Sequence, residues 1–496
     1  MSQVLRDARR FEEEWEASIA PESRPAFHLS ARVGWMNDPN GFSIYQDQYH
    51  LFYQYHPYAS IWGPMHWGHA VSTDLLHWTY LPAAMAPDRL YDRDGCYSGC
   101  AITMKDGRHL LMYTGVQKEI CADGIARDIQ TQNLAMGDGV NYKKYIKNPV
   151  LTQKDLPEGG SKRDFRDPKI WQKKDGSFRA LMANDHTGEG GQMLLYGSED
   201  LIHWKFLKVF AENHLQIGRM WECPDFFELD GSHILLASAQ DMFPKELEYH
   251  NGNGTFYMIG TYDEETETFR PEADYTVDYG IDFYAPQSIL TPDGRRVMIG
   301  WMQNWDTCNL HTDPVPWFGQ MSLPRELSVK NGRLYQQPMR ELEAFRKDPV
   351  VYENIPVQDE EISLPGVEGR MIDLEVELES MDPANPYLKF ALHFAQNEKY
   401  HTGLSFRPHE SILKIDRKFS GSRRAIIHQR RALVNHENGH VKLRLILDRF
   451  SAEVFINDGE KVMSATLYTN LAATGISFFA DGGVRLKKVT KYTLEV

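Results

Sequence analysis

Three acidic residues occupy the same place in a repeated pattern of this 496-residue chain. The pattern is an alternating run, a tight polar turn and a second alternating run, and it occurs five times. Asp38, Asp167 and Glu222 each precede such a turn by eight or nine residues, and Ser98 and Tyr284 take this place in the other two copies. Equivalent positions in a ring of repeats converge in space. We therefore predict that three carboxyl groups meet at one candidate active site, where they could act as acid, base and nucleophile.

Each acid also has a purely structural interpretation. Asp38 lies in the string Asn-Asp-Pro-Asn-Gly, which is typical of a turn, and Asp167 precedes Pro168 and could cap a turn. Glu222 stands in an apolar stretch, where a buried acid is costly without a partner or a task. The shared position in the repeat favours the functional interpretation for all three.

A second repeat indicates the elements that position these acids. Asp74, Asp138, Asp200 and Asp263 follow strand-like runs and are 64, 62 and 63 residues apart. A period near 60 with several short strands per unit is typical of the blades of a β-propeller. Five hairpins predict five blades, with the first strand of each blade along the central axis.

The ends of the chain differ from this repeat. Before it, apolar residues recur at the spacing of one helix face, which predicts a short docked helix: Val4, Ala8, Phe11, Trp15 and Ile19. After about residue 350 short strands continue without the period, and the turn Asn457-Asp458-Gly459 predicts a hairpin. We expect a β-sandwich there that covers apolar surface of the ring.

The predicted fold is therefore all-β: a five-bladed β-propeller followed by a C-terminal β-sandwich, with a short N-terminal helix. The predicted divisions are a helical extension at 1–26, the propeller at 27–335, a helical linker at 336–349 and the sandwich at 350–496.

Charge and composition exclude several functions. The formal charge of −15 and the pI of about 5.7 argue against a nucleic-acid partner. No run reaches the roughly 18 apolar residues of a membrane helix, and the charged start does not resemble a signal peptide. The five cysteines form no CxxC, and His66 and His69 lack a third ligand, so we expect no disulfide framework, metal or cofactor. A cytoplasmic location is expected.

Several motifs resemble glycoside hydrolase family 32, the invertases and fructan hydrolases. They are Trp35-Met36-Asn37-Asp38-Pro39-Asn40-Gly41, Phe52-Tyr53-Gln54, Trp67-Gly68-His69, Tyr97-Ser98-Gly99, Phe165-Arg166-Asp167-Pro168, Glu222-Cys223-Pro224, Asp282-Phe283-Tyr284, Gly300-Trp301-Met302, Ser322-Leu323-Pro324-Arg325-Glu326 and the run from Asp448 to Phe455. The resemblance covers nearly the whole chain after residue 27, and it implies a five-bladed propeller followed by a sandwich.

The resemblance also implies a role for each acid: Asp38 as nucleophile, Glu222 as acid/base and Asp167 as transition-state stabiliser. We expect the two neighbouring anions to keep Glu222 protonated, and Cys223 to pack beneath it. The resemblance further implies a fructose pocket lined by Asn37, Gln54, Trp62, Tyr97, Ser98, Arg166, Tyr284 and Trp301. Tyr97 stands where the family commonly has Phe.

The implied activity is that of a retaining β-fructofuranosidase acting on a small sugar partner, sucrose or short fructo-oligosaccharides. Preference among sucrose, sucrose 6-phosphate and short fructans stays open, as do the linkage preference and the oligomeric state. Two alternatives are a fructosyltransferase on the same scaffold and a non-catalytic sugar-binding propeller, against which the three intact acids argue. The outer sugar would meet the loops at 58–65, 241–253 and 304–317.

Overall fold

The computed structural model describes residues 1–308, 315–421 and 427–496, so residues 309–314 of the predicted outer loop lie outside the described residues. These residues form mainly β-strands, which pair into seven sheets. The all-β prediction is confirmed.

Four sheets are each built on strands that are consecutive in the chain. The first contains β1 Gly34–Tyr45, β2 Gln48–His56, β3 His66–Ser72 and β4 Thr79–Met85; the second contains β5 Gly95–Thr103, β6 His109–Ile120, β7 Ala126–Gly137 and β8 Tyr142–Lys144; the third contains β9 Gly160–Gln172, β10 Phe178–His186, β11 Gly190–Ser198 and β12 Lys205–Glu212; the fourth contains β13 Met220–Leu229, β14 Ser232–Met242, β15 Gly252–Asp263 and β16 Thr268–Thr276.

A fifth sheet follows, and one short strand returns to the first sheet. The fifth sheet contains β17 Tyr284–Leu290, β18 Arg296–Trp301, β20 Arg325–Lys330 and β21 Arg333–Pro338. Strand β19, Trp317–Phe318, instead pairs in parallel with the start of β1. The end of this region is thus hydrogen-bonded to its beginning.

The first strands of the five sheets form a closed ring. β1 contacts β5, β5 contacts β9, β9 contacts β13, β13 contacts β17, and β17 contacts β1. Buried amides link neighbouring strands, since Gln287 donates to the Gly99 carbonyl at 2.9 Å and accepts from the Phe42 N–H at 3.1 Å. Asn40 accepts from the Gly99 N–H at 3.1 Å. The ring brings the five predicted positions of the repeat to one end of its axis.

The C-terminal region forms two six-stranded sheets. Their strands are β22 Arg346–Gln358, β23 Glu361–Ile362, β24 Ile372–Ser380, β25 Lys389–Gln396, β26 Thr402–Arg407, β27 Ile412–Asp416, β28 Gln429–Leu433, β29 Val441–Asp448, β30 Ser451–Ile456, β31 Lys461–Thr466, β32 Gly475–Asp481 and β33 Gly483–Leu494. Alternate residues of both sheets, such as Leu374, Phe394, Leu445 and Phe478, fill one shared core. The two sheets therefore pack face to face as a sandwich. The segment predicted as a helical linker contains the end of β21, a 3₁₀ turn at Arg340–Phe345 and the start of β22.

The N-terminal helix, α1 at Gln3–Glu16, docks through part of the predicted face. Ala8 and, just beyond the helix, Ile19 are buried, and Phe11 packs against the core, whereas Val4 and Trp15 are 40% and 53% exposed. Leu5 and Glu12, which were not predicted, are buried as well. The Glu12 carboxylate accepts a hydrogen bond from the Ala83 N–H at 2.8 Å and pairs with Arg32 at 3.0 Å. The buried face thus includes an ionic contact, which apolar spacing alone could not predict.

The sandwich joins the ring through buried charges as well as apolar side chains. His28 lies between Asp448 and Glu453, with contacts of 2.8 and 3.0 Å. Glu453 also pairs with Arg325 at 2.6 Å, and Arg325 reaches Asp278 at 3.0 Å. Apolar residues of the sandwich such as Ile446, Phe455 and Val462 pack into the core of the ring beside this network. The predicted apolar cover is therefore only part of the interface.

Candidate active site

The three predicted acids line one cavity of about 720 Å³ at the end of the ring where the inner strands begin. Asp38 lies on β1, Asp167 on β9 and Glu222 on β13. Six of the eight predicted substrate-binding residues also line this cavity: Asn37, Gln54, Trp62, Tyr97, Ser98 and Arg166.

Each inner strand is irregular at the end of the ring where this cavity lies. The pairing register shifts after Met36, Tyr97 and Glu222, between Arg166 and Lys169, and after Tyr284. A bulge of this kind redirects a side chain and interrupts the hydrogen-bond ladder, which suits a proline because it lacks an N–H. Four of the bulged strands carry a proline there: Pro39, Pro168, Pro224 and Pro286. The local sequence thus turns the acids out of the regular strand and toward the cavity.

Asp38 is held in place by side-chain donors. Its Oδ2 accepts from Ser98 Oγ at 2.8 Å, and its Oδ1 accepts from Asn37 Nδ2 at 3.2 Å. Trp35 Nε1 donates to Asn37 Oδ1 at 2.8 Å, which fixes that amide. Burial and the nearby charge of Glu222 raise the pKa of Asp38 to about 6. The carboxyl group is thus held in one orientation, and its ionisation is shifted to higher pH than that of an ordinary aspartate.

Asp167 lies on a strained part of the backbone. Its φ is +61°, and that of Cys223 opposite is +50°, values uncommon for residues other than glycine and frequent at functional sites. The Cys223 N–H donates to Asp167 Oδ2 at 3.0 Å. Burial raises the pKa of Asp167 to about 7, against the opposing effect of Arg166. These contacts connect the strands that carry Asp167 and Glu222.

Glu222 accepts hydrogen bonds at both oxygens. Arg166 Nε donates to Oε1 at 3.1 Å, while Gln240 Nε2 and the Tyr284 hydroxyl each donate to Oε2 at 2.8 Å. These contacts hold the Glu222 carboxyl group between a guanidinium, an amide and a hydroxyl. The expectation that the neighbouring anions keep Glu222 protonated stays a prediction.

Cys223 does not pack beneath Glu222 as expected. Its Sγ lies 3.5 Å from Asp38 Oδ2 and 3.6 Å from Asp167 Oδ2. The positive φ at this bulge turns the thiol toward the other two acids. Burial among the three acids raises the pKa of the thiol well above its usual value. The neutral thiol can therefore donate to both carboxylates.

Two predicted pocket residues are not on the cavity wall. Tyr284 is buried and touches Glu222 from behind, while Trp301 is fully buried between Trp35 and Trp305, with ring centroids 6.1 and 5.1 Å away. Trp305 takes the place on the wall, and its Nε1 has no acceptor among the described residues. The position of Trp305 in the sequence could have identified it. Strand β18 runs back toward the site and ends at Trp301, so the residues just beyond this strand face the opening.

The sequence reasoning also missed Gln240 and three cations on the wall, Lys118, Arg127 and Arg163. Gln240 pairs with Met220 at the cavity end of β14, so the hairpin register could have located it. At the entrance, Trp62 is 45% exposed and meets Tyr97 edge to face, with centroids 6.3 Å apart. Indole and phenol rings at an opening offer apolar faces to a sugar.

The two histidines considered as metal ligands have other contacts. His69 Nε2 lies 3.0 Å from His50 Nδ1, and His66 Nδ1 lies 2.9 Å from the Pro64 carbonyl. Within residues 1–308, 315–421 and 427–496, no group of three or more His, Cys, Asp or Glu side chains is arranged to hold a metal ion. No helix among these residues is long and apolar enough to cross a membrane.

Comparison with known proteins shows which family has this arrangement. Residues 28–338 match the family model for the N-terminal domain of glycosyl hydrolases family 32, and residues 341–494 match the model for its C-terminal domain. The chain is 36% identical to the sucrose-6-phosphate hydrolase of Escherichia coli over 474 residues, covering 93% of this chain and 92% of that protein. It is also 36% identical to the raffinose invertase of Escherichia coli over 477 residues, covering 92% of each.

Solved structures agree with these matches. A β-fructofuranosidase of Bombyx mori is similar with a TM-score of 0.81 at 34% identity, covering 99% of this chain and 98% of that one. The sucrose-6-phosphate hydrolase of Lactobacillus gasseri gives a TM-score of 0.83 at 27% identity, covering 98% and 96%. On these matches, which span nearly the entire chain, the protein is a glycoside hydrolase and belongs to glycosyl hydrolase family 32.

Proposed function

We propose that the protein is a retaining β-fructofuranosidase that hydrolyses terminal, non-reducing β-D-fructofuranosides in sucrose and short fructo-oligosaccharides. The observation that carries the proposal is the meeting of Asp38, Asp167 and Glu222 in one cavity, each with different hydrogen-bond partners. The names of the relatives, which include a raffinose invertase and a β-fructofuranosidase, support the same substrate class.

Asp38 is the proposed nucleophile. Retaining glycosidases form a covalent glycosyl-enzyme, and the attacking carboxylate must be ionised and directed at the anomeric carbon. The donors Ser98 and Asn37 supply that direction. In the first step an Asp38 oxygen forms an ester with the anomeric carbon as the bond to the leaving sugar breaks.

Glu222 is the proposed acid and base. It hands a proton to the departing oxygen in the first step and removes one from water in the second, when water displaces Asp38 and restores the carboxylate. Tyr284 and Gln240 hold the carboxyl group in position from one side. We propose that Asp167 and Arg166 bind hydroxyls of the fructose ring and stabilise the transition state.

Glu222→Gln is expected to affect substrates according to their leaving group. A general acid contributes about 10²–10⁴-fold, and an activated aryl leaving group needs little of this help. We expect kcat on sucrose to fall by about 10²-fold or more, with a much smaller loss of first-step rate on an aryl fructoside.

The measurement is the pre-steady-state rate with both substrates, which separates fructosylation from deglycosylation. Glu189→Gln, which changes a glutamate whose side chain is 61% exposed, is the control for the substitution itself. Equal losses of the fructosylation rate on both substrates would contradict the acid role.

The function itself is tested by the first product formed from sucrose. Two displacements at the anomeric carbon restore its configuration, so fructose should leave as the β-anomer and mutarotate afterwards. Proton NMR during the first moments of hydrolysis detects this. Initial release of the α-anomer would overturn the retaining mechanism, and accumulation of kestose-type products at high sucrose would favour transfer over hydrolysis.

Substrates with a phosphate on the second sugar are a second candidate class. Lys118, Arg127 and Arg163 lie on the wall of the cavity and could meet a phosphate, although Asp128 and Asp164 lie there too. Two of the relatives described above, from Escherichia coli and Lactobacillus gasseri, are sucrose-6-phosphate hydrolases by name. Side-by-side values of kcat/KM on sucrose and sucrose 6-phosphate decide between the two substrates.

We also propose that the five sheets are the blades of a five-bladed propeller, on the support of the closed ring of inner strands. The domain divisions at 1–26, 27–335, 336–349 and 350–496 stay predictions. The cytoplasmic location also stays a prediction, supported by five cysteines that are all unpaired, as is common in reducing compartments.

A further inference from the structure

A second cavity, of about 480 Å³, opens at the far end of the same ring. All five inner strands reach this cavity, through Ser43, Ala101, Lys169, Asp225 and Ser288. Four of these strands, β1, β5, β9 and β13, also line the catalytic cavity. Along β1 the buried amide of Asn40, which accepts from Gly99, lies between the residues of the two cavities. The far cavity is thus a separate compartment on the same scaffold.

Most charges around the far cavity are paired. Lys169 Nζ lies 3.1 Å from Asp225 Oδ1 and donates to the Ser288 carbonyl at 3.1 Å, while Asp225 Oδ2 accepts from the Ser288 N–H at 2.6 Å. Further out, Lys173 pairs with Glu267 and Lys174 with Glu264, each at 2.9 Å. These three ion pairs and two contacts engage Lys169, Lys173, Lys174, Asp225 and Glu264. Glu228 also lines the wall; it is exposed and has no ion pair among the described residues.

Among the lysines and arginines of the wall, Arg296 differs from the others. It lines the cavity and stacks on Phe227, with its guanidinium carbon 4.6 Å from the ring centroid. In the part of the chain that the structure describes, its side chain has no ion pair or hydrogen bond, and its Nε is buried without an acceptor. Asp225 is the anion that acts on it electrostatically, yet this carboxylate is already held by Lys169. Burying the Nε–H of a guanidinium without an acceptor is costly, because the lost hydrogen bond to water is not replaced.

Ser288 adds a second unfilled donor at the same place. It is 2% exposed, lines the cavity, and its Oγ has no hydrogen-bond partner among the described residues. In the register of β17 and β18, Ser288 pairs with Met298 and Leu290 pairs with Arg296, so Ser288 and Arg296 lie on the same face of the sheet. A hydroxyl and a guanidinium therefore face one cavity with their donors free.

We propose that the far cavity binds a small organic anion through a carboxylate or phosphate group, with Arg296 and Ser288 as its donors. The planar fork of arginine matches both of these groups and binds them in bidentate fashion. The volume is within the range of small-molecule sites, and the apolar side chains Ile170, Phe227 and Ile289 on the wall suit the non-polar part of such a ligand. This site lies outside the catalytic cavity and does not depend on the proposed hydrolase function.

Inorganic phosphate is the first probe, measured by calorimetric titration and by thermal shift at constant ionic strength. We expect saturable binding, with a rise in Tm that follows occupancy. Arg296→Met should weaken phosphate binding about tenfold or more, because a hydrogen-bonded charge is lost, and Ser288→Ala should weaken it to a smaller degree. Both variants should retain the activity on sucrose, which also verifies that they are folded.

Two matched variants locate the bound anion. Lys174→Met removes a cation of the same cavity that is already paired with Glu264, and Arg163→Met removes a cation of the catalytic entrance. Phosphate binding should persist in both. The proposal would be overturned if phosphate binding were not saturable, or if the wild type, Arg296→Met and Ser288→Ala bound phosphate equally. It would also be overturned if only Arg163→Met lost phosphate binding.

Discussion

Replacing Asp38 by asparagine is expected to lower kcat on sucrose by about 10³-fold or more while the protein stays folded. The amide cannot form the ester with the anomeric carbon, so the two-step path is lost. Folding should persist because the amide is nearly isosteric and uncharged, and a neutral group costs less to bury at this site than a carboxylate. Initial rates on sucrose, with circular dichroism as the test of folding, measure the effect.

The control is Asp128→Asn, which changes another carboxylate on the wall of the same cavity. We expect a loss below about tenfold there, since Asp128 is given no covalent role and a lost polar contact is worth about 1 kcal/mol. A folded Asp38→Asn variant that retains more than a few per cent of wild-type activity would remove Asp38 from the mechanism.

The pH dependence of kcat/KM provides a second test of Asp38 as the nucleophile. Attack requires the ionised carboxylate, and the pKa of Asp38 is raised to about 6 by burial and by Glu222. Activity should therefore decline as the pH falls through about 6 rather than near the usual pKa of an aspartate. An acid limb close to pH 4 would show that the nucleophile ionises as an ordinary exposed carboxylate.

The second large effect is expected at the junction of the ring and the sandwich. Glu453→Gln removes the carboxylate that lies between His28 and Arg325, both of them buried. Breaking a buried ion pair on one side costs about 3–5 kcal/mol, because the remaining charge loses its compensation. We expect a corresponding fall in the free energy of unfolding in urea, with kcat retained under conditions where the variant is folded.

A surface pair supplies the comparison. Glu377→Gln removes a partly exposed carboxylate that contacts His440 and Lys487, and exposed pairs are worth about 0–1 kcal/mol. Equal destabilisation by the two variants would show that burial of the interface charges contributes nothing special.

The same network makes stability fall at alkaline pH. Burial by itself would lower the pKa of His28, but Asp448 and Glu453 outweigh it and raise the pKa to about 9, against an ordinary value of 6.5. The stabilisation from protonated His28 is complete below pH 6.5 and disappears as the pH rises through 9, a loss of about 3 kcal/mol from the difference in pKa. In His28→Ala this alkaline decline should be absent, and an unchanged profile would contradict the assignment.

Much of the fold followed from local sequence patterns. Alternating residues around short polar turns predicted the hairpins, and glycines at positive φ occupy four of the five turns: Gly107, Gly176, Gly231 and Gly294. These signals work because a strand hairpin depends on neighbours in the chain. The repeat then located the three acids, since equivalent positions of a closed ring share one end of the axis.

Contacts between distant segments had to come from the tertiary structure. Trp305, rather than Trp301, reaches the cavity wall because of the path of the chain beyond β18. Arg166 is bound to Glu222 across 56 residues of chain, and His28 to Glu453 across 425. Residue spacing records which side chains share a strand face or a helix face. It does not record which charged group from another sheet will contact them, and those contacts orient the carboxyl groups of the site and join the two regions.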